Sequence, residues 1–214
     1  MVRDVFSTLL ILSLLTIYRA VDMSEEAVKA RAQALPDDLK AALALDEEAE
    51  GEDSVYDTLG KWIDDAAKEK GDITKVPDVD IYLKAKELGI ESKHRTPAVL
   101  AQTIFDENIV KEIEPRASML KKLITSERHE KAFLGGIERF VGNDHPDLVS
   151  QVSSILLKIY ENDLVSEETL KAWGAKASKK YVDLQTSRKV RKSAEQFIEW
   201  LENAESDESD EDSD

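Results

Sequence analysis

The chain has 214 residues, of which 29 are basic and 45 are acidic, so its formal net charge is −16 at pH 7. It contains no cysteine, which excludes disulfides, cysteine zinc sites and thiol nucleophiles within this sequence. A net acidic chain repels nucleic acid phosphates, so direct DNA binding is not expected. Hydrophobic residues make up 42% of the chain, which is enough to build a core.

An apolar run lies near the N-terminus, from Phe6 to Tyr18. It is shorter than the roughly 20 residues that a membrane-spanning helix needs, but it has the length of a signal-peptide core. Its flanks do not support a signal, because Asp4 offsets Arg3 and the segment after Tyr18 is a poor cleavage site. We therefore predict that residues 1–22 are a non-native leader on a cytoplasmic protein; a genuine signal or anchor is the alternative.

The next thirty residues indicate a short helical segment that ends in an acidic linker. Ser24, followed by two glutamates, is a suitable helix N-cap and first turn. Pro36 interrupts the alanine- and leucine-rich pattern that follows, and seven acidic residues occur from Asp46 to Asp57. We therefore assign residues 23–52 to a helical and acidic linker.

After this linker the sequence predicts a series of short amphipathic helices. Apolar residues recur three and four positions apart, and most segments open with a capping residue or a proline. The predicted starts lie at or beside Asp53, Pro77, Thr96, Pro115, Ser126, Pro146, Ser166 and Thr186. The last helix is expected to run from Thr186 to Ala204, with Val190, Phe197 and Leu201 facing the core.

The predicted fold is all-α. No stretch alternates apolar and polar residues in the way that a half-buried strand requires. Helices of this length with short connections pack as antiparallel hairpins, and repeated hairpins stack into a solenoid. We therefore expect a small HEAT-like α-solenoid over residues 53–204, followed by a disordered acidic tail at residues 205–214. A compact irregular bundle is the alternative.

Residues with catalytic chemistry are few and scattered. His94, His129 and His145 are the three histidines, and none has the spacing of a helical metal site. Gly135 and Gly136 lack the lysine and hydroxyl residue of a phosphate-binding loop, which favours close helix packing instead. We therefore expect no catalytic residues, no metal or cofactor site and no enzymatic activity.

Two segments combine aromatic and acidic residues. The first box runs from Tyr160 to Trp173, and the second box runs from Phe197 to Glu208. Each box also fits an ordinary amphipathic helix that has its tryptophan in the core and its acids in water. A secondary basic patch is expected from Lys121, Lys122, Arg128, Lys131, Lys179 and Lys180.

The sequences around two tryptophans resemble the two-tryptophan (W-two) domain family. Trp173 lies in Lys-Ala-Trp-Gly-Ala-Lys-Ala-Ser-Lys-Lys-Tyr-Val, and Trp200 lies in Phe-Ile-Glu-Trp-Leu-Glu-Asn-Ala-Glu-Ser-Asp. Within that family both segments look most like the C-terminal domains of eukaryotic translation initiation factor 5. The resemblance covers about residues 53–212 and implies a helical-repeat fold.

The resemblance also implies a function, that of a cytoplasmic adaptor that assembles the translation preinitiation complex without contacting a membrane. The implied partners are lysine-rich segments of the beta subunit of initiation factor 2, initiation factors 1 and 3 and, as a further candidate, the four-G scaffold. The partner-binding residues would be Glu161, Asp163, Glu167, Glu168, Trp173, Phe197, Glu199, Trp200, Glu202, Glu205, Asp207 and Glu208. The acids would bind partner lysines, and the aromatic residues would fix the helices that present them.

The chain departs from full-length initiation factor 5, which begins with a GTPase-activating domain that holds a four-cysteine zinc ribbon. Because the chain has no cysteine, GTPase activation is not expected of it. In the tail, Ser209 has Asp212 three residues on, so an acidophilic kinase is expected to phosphorylate Ser209 and then Ser206. Two alternatives stay open: a competitive mimic of initiation factor 5 that regulates translation, and a secreted or membrane-anchored helical interaction protein.

Overall fold

The computed structural model describes residues 55–208, with side chains as far as Asn203. Within that range the chain contains α-helices, short 3-10 and π-helical turns and connecting loops, but no strand. No helix in the described range is both long and apolar enough to cross a bilayer. The predicted leader, the 23–52 linker and residues 209–214 of the predicted tail lie outside the described residues.

Nine α-helices follow one another along this range. They are α1 (residues 55–70), α2 (Asp78–Glu87), α3 (Arg95–Thr103), α4 (Ile109–Leu123), α5 (Glu127–Arg139), α6 (Val152–Glu161), α7 (Glu167–Ala175), α8 (Leu184–Ser193) and α9 (Glu195–Glu208). A 3-10 turn (Ile73–Lys75) precedes α2, and a π-helical turn (Phe140–Asp144) and a 3-10 turn (Pro146–Gln151) connect α5 to α6.

The helices stack in two layers. Helix α2 packs against α4 and α4 against α6, while α3 packs against α5, α5 against α7 and α7 against α9. Contacts between every second helix are what stacked helical hairpins produce, because each hairpin contributes one helix to each layer. The predicted all-α, HEAT-like architecture is therefore confirmed.

The paired glycines of α5 allow close packing on both sides of that helix. A Cβ atom on Gly136 would lie 2.5 Å from the carbonyl oxygen of Ala98 and 2.7 Å from Cβ of Ala101, both on α3. A Cβ on Gly135 would collide with the ring of Tyr181. The prediction that these glycines allow close packing is confirmed, because any larger residue would force α3 or Tyr181 away from α5.

The last predicted helix is in fact two helices. Helix α8 ends at Ser193 and α9 begins at Glu195, with the buried Ala194 between them. The hydroxyl of Ser153 donates a hydrogen bond to the carbonyl of Ser193 at 2.9 Å, which stabilises the break from a neighbouring helix. The predicted end at Ala204 is also wrong, because α9 continues to Glu208, into the predicted tail.

The helix that was predicted to open at Pro115 begins six residues earlier, at Ile109. The side chain of Asp106 accepts a hydrogen bond from the backbone N–H of Asn108 at 2.7 Å, which forms a turn just before the helix. Ile109 and Ile113 are fully buried. An internal proline such as Pro115 destabilises a helix by about 3 kcal/mol. Burial of the Ile109 and Ile113 side chains offsets this cost.

Two charged residues of α4 are buried beside α2. Arg116 donates to Asp78 at 2.6 Å and to the carbonyl of Ile73 at 2.7 Å, so it joins α4 to the start of α2. Glu112 is 7% exposed, and its Oε2 accepts from the backbone N–H of Asp106 at 3.0 Å. The pKa of Glu112 is raised to about 7, mainly by burial and also by the neighbouring Asp106 side chain, while the backbone N–H of Asp106 and the charge of Arg116 act in the opposite direction.

The raised pKa of Glu112 makes the free energy of unfolding depend on pH. The folded chain binds the extra proton up to about pH 7, whereas the unfolded carboxyl loses it near 4.5. Stability should therefore fall as the pH rises from about 4.5 to about 7. The variant Glu112→Gln removes this loss, so we expect it to be more stable than the parent at pH 8 by up to about 3 kcal/mol.

Urea unfolding of both chains at pH 5 and pH 8 measures this difference. At pH 5 the two should be nearly equal, because the parent carboxyl is then protonated in the folded state. Glu114→Gln, an exposed change on the same helix, is the matched control. If Glu112→Gln increased the free energy of unfolding equally at both pH values, the effect could not come from ionisation of Glu112 between them.

Candidate protein-interaction site

The candidate site is built over a buried ion pair between α5 and α8. Glu138 is 1% exposed and Arg191 is 9% exposed. Arg191 donates from Nε to Glu138 Oε1 and from Nη2 to Glu138 Oε2, both at 3.1 Å, while the hydroxyl of Ser187 donates to Oε1 at 2.6 Å. Such paired contacts to a carboxylate are among the strongest hydrogen bonds in proteins, so α8 is held in one register on α5.

The same guanidinium holds Trp173 of the first box. The Arg191 Cζ lies 4.2 Å from the centroid of the indole ring. Trp173 is 9% exposed, and its neighbour Gly174 allows α9 to approach, since a Cβ there would lie 2.7 Å from Cγ1 of Ile198. Trp173 therefore links α7 to α8, and the adjacent Gly174 brings α7 against α9.

Hydrogen bonds and one ring contact hold the loop between α7 and α8 against α5 and α8. The Lys176 carbonyl accepts from Nη1 of Arg191 at 2.8 Å, and the Ser178 N–H donates to the hydroxyl of Ser187 at 3.0 Å. The ring of Tyr181 lies over Gly135. Burial raises the pKa of the Tyr181 phenol, and the Glu138 carboxylate raises it further. This loop thus fixes the path of the chain from the first box to α8.

The second box presents its acids on α9. Phe197 and Leu201 face inward and are buried, whereas Glu199 and Glu202 are exposed. Glu205, Asp207 and Glu208 continue the same helix, but only their backbone is described. Five predicted partner-binding acids therefore lie on one continuous helix.

Trp200 does not enter the core. It is 48% exposed and packs edge-on against Tyr160 of α6, with ring centroids 5.8 Å apart. Its ring centroid also lies 5.8 Å from that of the buried Phe197. These contacts place one side of the Trp200 ring against α6, and about half of its surface stays exposed.

A groove of about 450 Å³ borders the acids of α9. Arg188 and Lys192 of α8 line one side, and Glu195, Glu199 and Glu202 of α9 line the other. Two walls of opposite charge run side by side along this groove. A partner segment that carries lysines would be attracted to the α9 wall and repelled by the α8 wall, which orients it.

The acids of the first box are partly engaged within the chain. Lys158 donates to Glu161 at 2.6 Å, and this hydrogen bond raises the pKa of Lys158. Lys121 pairs with Asp163 at 3.2 Å, and Lys171 pairs with Glu167 at 2.6 Å. Glu168 is exposed in the first turn of α7. Three acids of the first box thus pair with lysines of the same chain, and the fourth, Glu168, is exposed.

The predicted secondary basic patch is brought together only in part. Arg128 and Lys131 lie one turn apart on α5, and Arg128 is near enough to Tyr181 to oppose the rise of its pKa. Lys180 lies 5.3 Å above the Tyr181 ring, which adds it to this group, and Lys179 is exposed beside it. The remaining two lysines lie at the end of α4, where Lys121 holds Asp163 and Lys122 lies over the ring of Tyr82.

Sequence reasoning missed three residues that shape the site. The sequence does not distinguish Glu138 and Ser187 from the other polar positions of their amphipathic helices. Tyr160 was counted as the start of the first box, although its ring supports Trp200 of the second box. Only contacts between residues about 40 to 50 positions apart in sequence reveal these roles.

We expect Arg191→Ala to destabilise the fold by about 3–5 kcal/mol, because it leaves the buried Glu138 charge without its partner. Arg188→Ala, an exposed change on the same helix, is the matched control and should cost no more than about 0.5 kcal/mol. Chemical unfolding at neutral pH measures both. Equal stability of the two variants would show that the ion pair does not hold α8.

The two tryptophans should differ in their contribution to stability. Trp173→Ala removes a buried ring and should cost about 3–5 kcal/mol. Trp200→Ala removes a half-exposed ring and should cost on the order of 1 kcal/mol, since only its buried part is lost. Thermal melts of both variants compare the two costs, and a larger loss for Trp200→Ala would contradict the placement of the rings.

Known proteins similar to this chain are translation initiation factors. Residues 129–211 match the family described as W2: eIF4-gamma/eIF5/eIF2-epsilon. The probable eukaryotic translation initiation factor 5 of Schizosaccharomyces pombe is 45% identical over 194 residues, which cover 89% of this chain and 47% of that protein. The corresponding factor of Saccharomyces cerevisiae is 42% identical, over 90% of this chain and 44% of its own length. The chain thus spans about half the length of these relatives.

A solved structure shows the same similarity. The C-terminal domain of translation initiation factor 5, determined at low pH, is 45% identical and superimposes with a TM-score of 0.68. The match covers 74% of this chain and 96% of that domain. The chain therefore belongs to the W2 family, as a C-terminal domain of the translation initiation factor 5 type.

Proposed function

We propose that the chain is a non-enzymatic adaptor of the translation preinitiation complex that binds lysine-rich segments of the beta subunit of initiation factor 2. Initiation factors 1 and 3 are further proposed partners, and the four-G scaffold is another candidate. The observation that supports this best is α9 itself, on which Glu199 and Glu202 line the groove beside α8 and Trp200, turned towards α6, is half-exposed. One partner lysine could pair with these carboxylates, while the methylene stem of another lysine packs on the indole.

The second box is the stronger of the two proposed docking surfaces. The acids of the first box that pair with Lys121, Lys158 and Lys171 must lose an internal partner before they bind an external one. Surface pairs of this kind are individually worth less than about 1 kcal/mol, so the first box can still contribute once a partner is close. We propose that the second box binds first and that the first box extends the contact.

The acidic tail is proposed to strengthen the same interaction. Ser206 lies in the last turns of α9, where only the backbone is described, and Ser209 lies outside the described residues. Phosphorylation of either serine would add about −1.5 to −2 charges near the acids of α9. The expected consequence is tighter binding to lysine-rich segments without a change in the fold.

Reversing the charge of Glu199 and Glu202 tests the proposal directly. The double change to lysine should weaken binding of a lysine-block peptide from initiation factor 2 beta by about 10-fold or more, a loss of at least about 1.4 kcal/mol. The parent affinity should also fall as salt rises, because exposed charges are screened beyond about 8 Å at physiological ionic strength. Calorimetric titration at two salt concentrations measures both effects.

The matched control reverses two exposed acids on α1, Asp57 and Asp64, and so changes the net charge by the same amount. If the two double variants lose affinity equally, net charge rather than the second box would explain binding, and the proposed site would be wrong. Melting curves of both variants should stay close to the parent, since surface charge changes seldom exceed about 0.5 kcal/mol.

A further inference from the structure

The groove between α8 and α9 has charges of both signs on its walls that stay unpaired within the described part of the chain. Its basic wall carries Arg188 and Lys192, and its acidic wall carries Glu195, Glu199 and Glu202. All five side chains are exposed, and none of them forms a salt bridge or a hydrogen bond with another described residue. Because opposite charges attract, both walls are available to an occupant that lies between them.

The rest of the groove offers room rather than further charge. Small and aliphatic residues complete most of its lining: Gly174, Ala175, Ala177 and Ile198. Arg191 also lines the groove, but its guanidinium already pairs with the buried Glu138. Since the small side chains leave the volume of about 450 Å³ open, the backbone of another chain can enter between the two walls.

The charges on each wall are spaced by one helical turn. Arg188 and Lys192 are four residues apart on α8, and Glu195 and Glu199 are four residues apart on α9, so each pair is separated by about 6 Å along its helix axis. In an extended chain, side chains on the same side recur about every 6.6 Å, and those between them point the opposite way. An extended segment along the groove therefore presents successive side chains to alternate walls at a matching spacing.

The signs of the two walls determine which side chains such a segment needs. Lysines on one side of the segment pair with the acids of α9, and carboxylates on its other side pair with Arg188 and Lys192. A segment made only of lysines places about half of them against the basic wall, where repulsion between like charges opposes binding. Charge complementarity therefore favours a segment that carries both signs.

We propose that this groove binds an extended segment of a partner protein in which lysines alternate with acidic residues. The inference rests on the proposed function, since the same α9 acids receive the lysines. It adds that Arg188 and Lys192 determine specificity among lysine-rich partners, because they attract a segment with alternating charges and repel an uninterrupted lysine block. Specificity of this kind combines a favourable contact to one partner with an unfavourable contact to its competitor.

The test compares three peptides in titrations of the full chain labelled with 15N. Acetyl-Lys-Glu-Lys-Glu-Lys-amide alternates its charges, acetyl-Lys-Lys-Lys-Glu-Glu-amide has the same composition and net charge in two blocks, and the third peptide is pentalysine. We expect saturable shifts of the backbone amide signals of Lys192 and Glu199. The alternating peptide should bind about fivefold more tightly than the block peptide, a ratio that a few surface ion pairs can supply.

Arg188→Gln combined with Lys192→Gln is the decisive variant. It should weaken binding of the alternating peptide about fivefold and strengthen binding of pentalysine about twofold or more, because it removes an attraction from the first and a repulsion from the second. Both residues are exposed, so the melting temperature should stay close to that of the parent. A change in net charge alone would strengthen the binding of both cationic peptides.

The matched control is Lys61→Gln combined with Lys70→Gln, which changes the net charge by the same amount at two exposed positions of α1. This control should keep the preference for the alternating peptide over the block peptide. Equal affinities of these two peptides for the parent chain would overturn the inference. Loss of the preference in the α1 control, or its persistence in the Arg188→Gln and Lys192→Gln variant, would overturn it as well.

A second pair of changes separates this inference from the proposed function. Glu199→Lys combined with Glu202→Lys should abolish the binding of all three peptides to α9. If that variant binds them as the parent does, the α9 acids do not hold lysines, and both proposals fail. If the α9 acids are required but neither the order of the peptide charges nor the two basic residues matter, only the present inference fails.

Discussion

The buried ion pair between Glu138 and Arg191 determines how the two boxes are presented. A carboxylate in the interior of α5 is tolerated only when donors surround it, and Arg191 with Ser187 supplies them. The same guanidinium covers Trp173 and binds the Lys176 carbonyl, so it fixes both the helix of the first box and the loop that leaves it. The position of α9 follows from these contacts, because α9 packs on the helix that Trp173 anchors.

The two tryptophans that define the resemblance to the family have different physical roles. Trp173 is buried against the Arg191 guanidinium, so its role is to hold helices together. Trp200 packs on Tyr160 and Phe197 and leaves about half of its surface exposed, on the helix that also carries Glu199 and Glu202. An aromatic surface next to carboxylates suits the dual character of lysine, whose stem is apolar and whose end is charged. In the proposed complex, the long-range attraction of the acids would govern the rate of encounter, and the aromatic contact would govern how long a partner stays bound.

Periodicity predicted the inward face of the chain's end well, because Val190, Phe197 and Leu201 are all buried. It could not show the break at Ala194, since neither a glycine nor a proline marks it and Ser153 stabilises it from another helix. Pro115 misled the prediction of α4 because a proline is usually read as a helix start, whereas burial of Ile109 and Ile113 decided the outcome. The partners of Glu112 and Glu138 depend on tertiary contacts, which no local pattern contains.

The break at Ala194 has a consequence for how such domains diverge during evolution. Backbone hydrogen bonds from Phe197 and Ile198 return to the Ala194 carbonyl, so α9 starts its own helix rather than extending α8. The inner face of α9 packs against Gly174 and the core, whereas no other helix among the described residues packs on its outer face. Substitutions at its exposed acidic positions, such as Glu199 and Glu202, can therefore accumulate with little effect on folding. A lineage could exchange one set of binding preferences for another by altering a few surface positions, while the scaffold beneath stays the same.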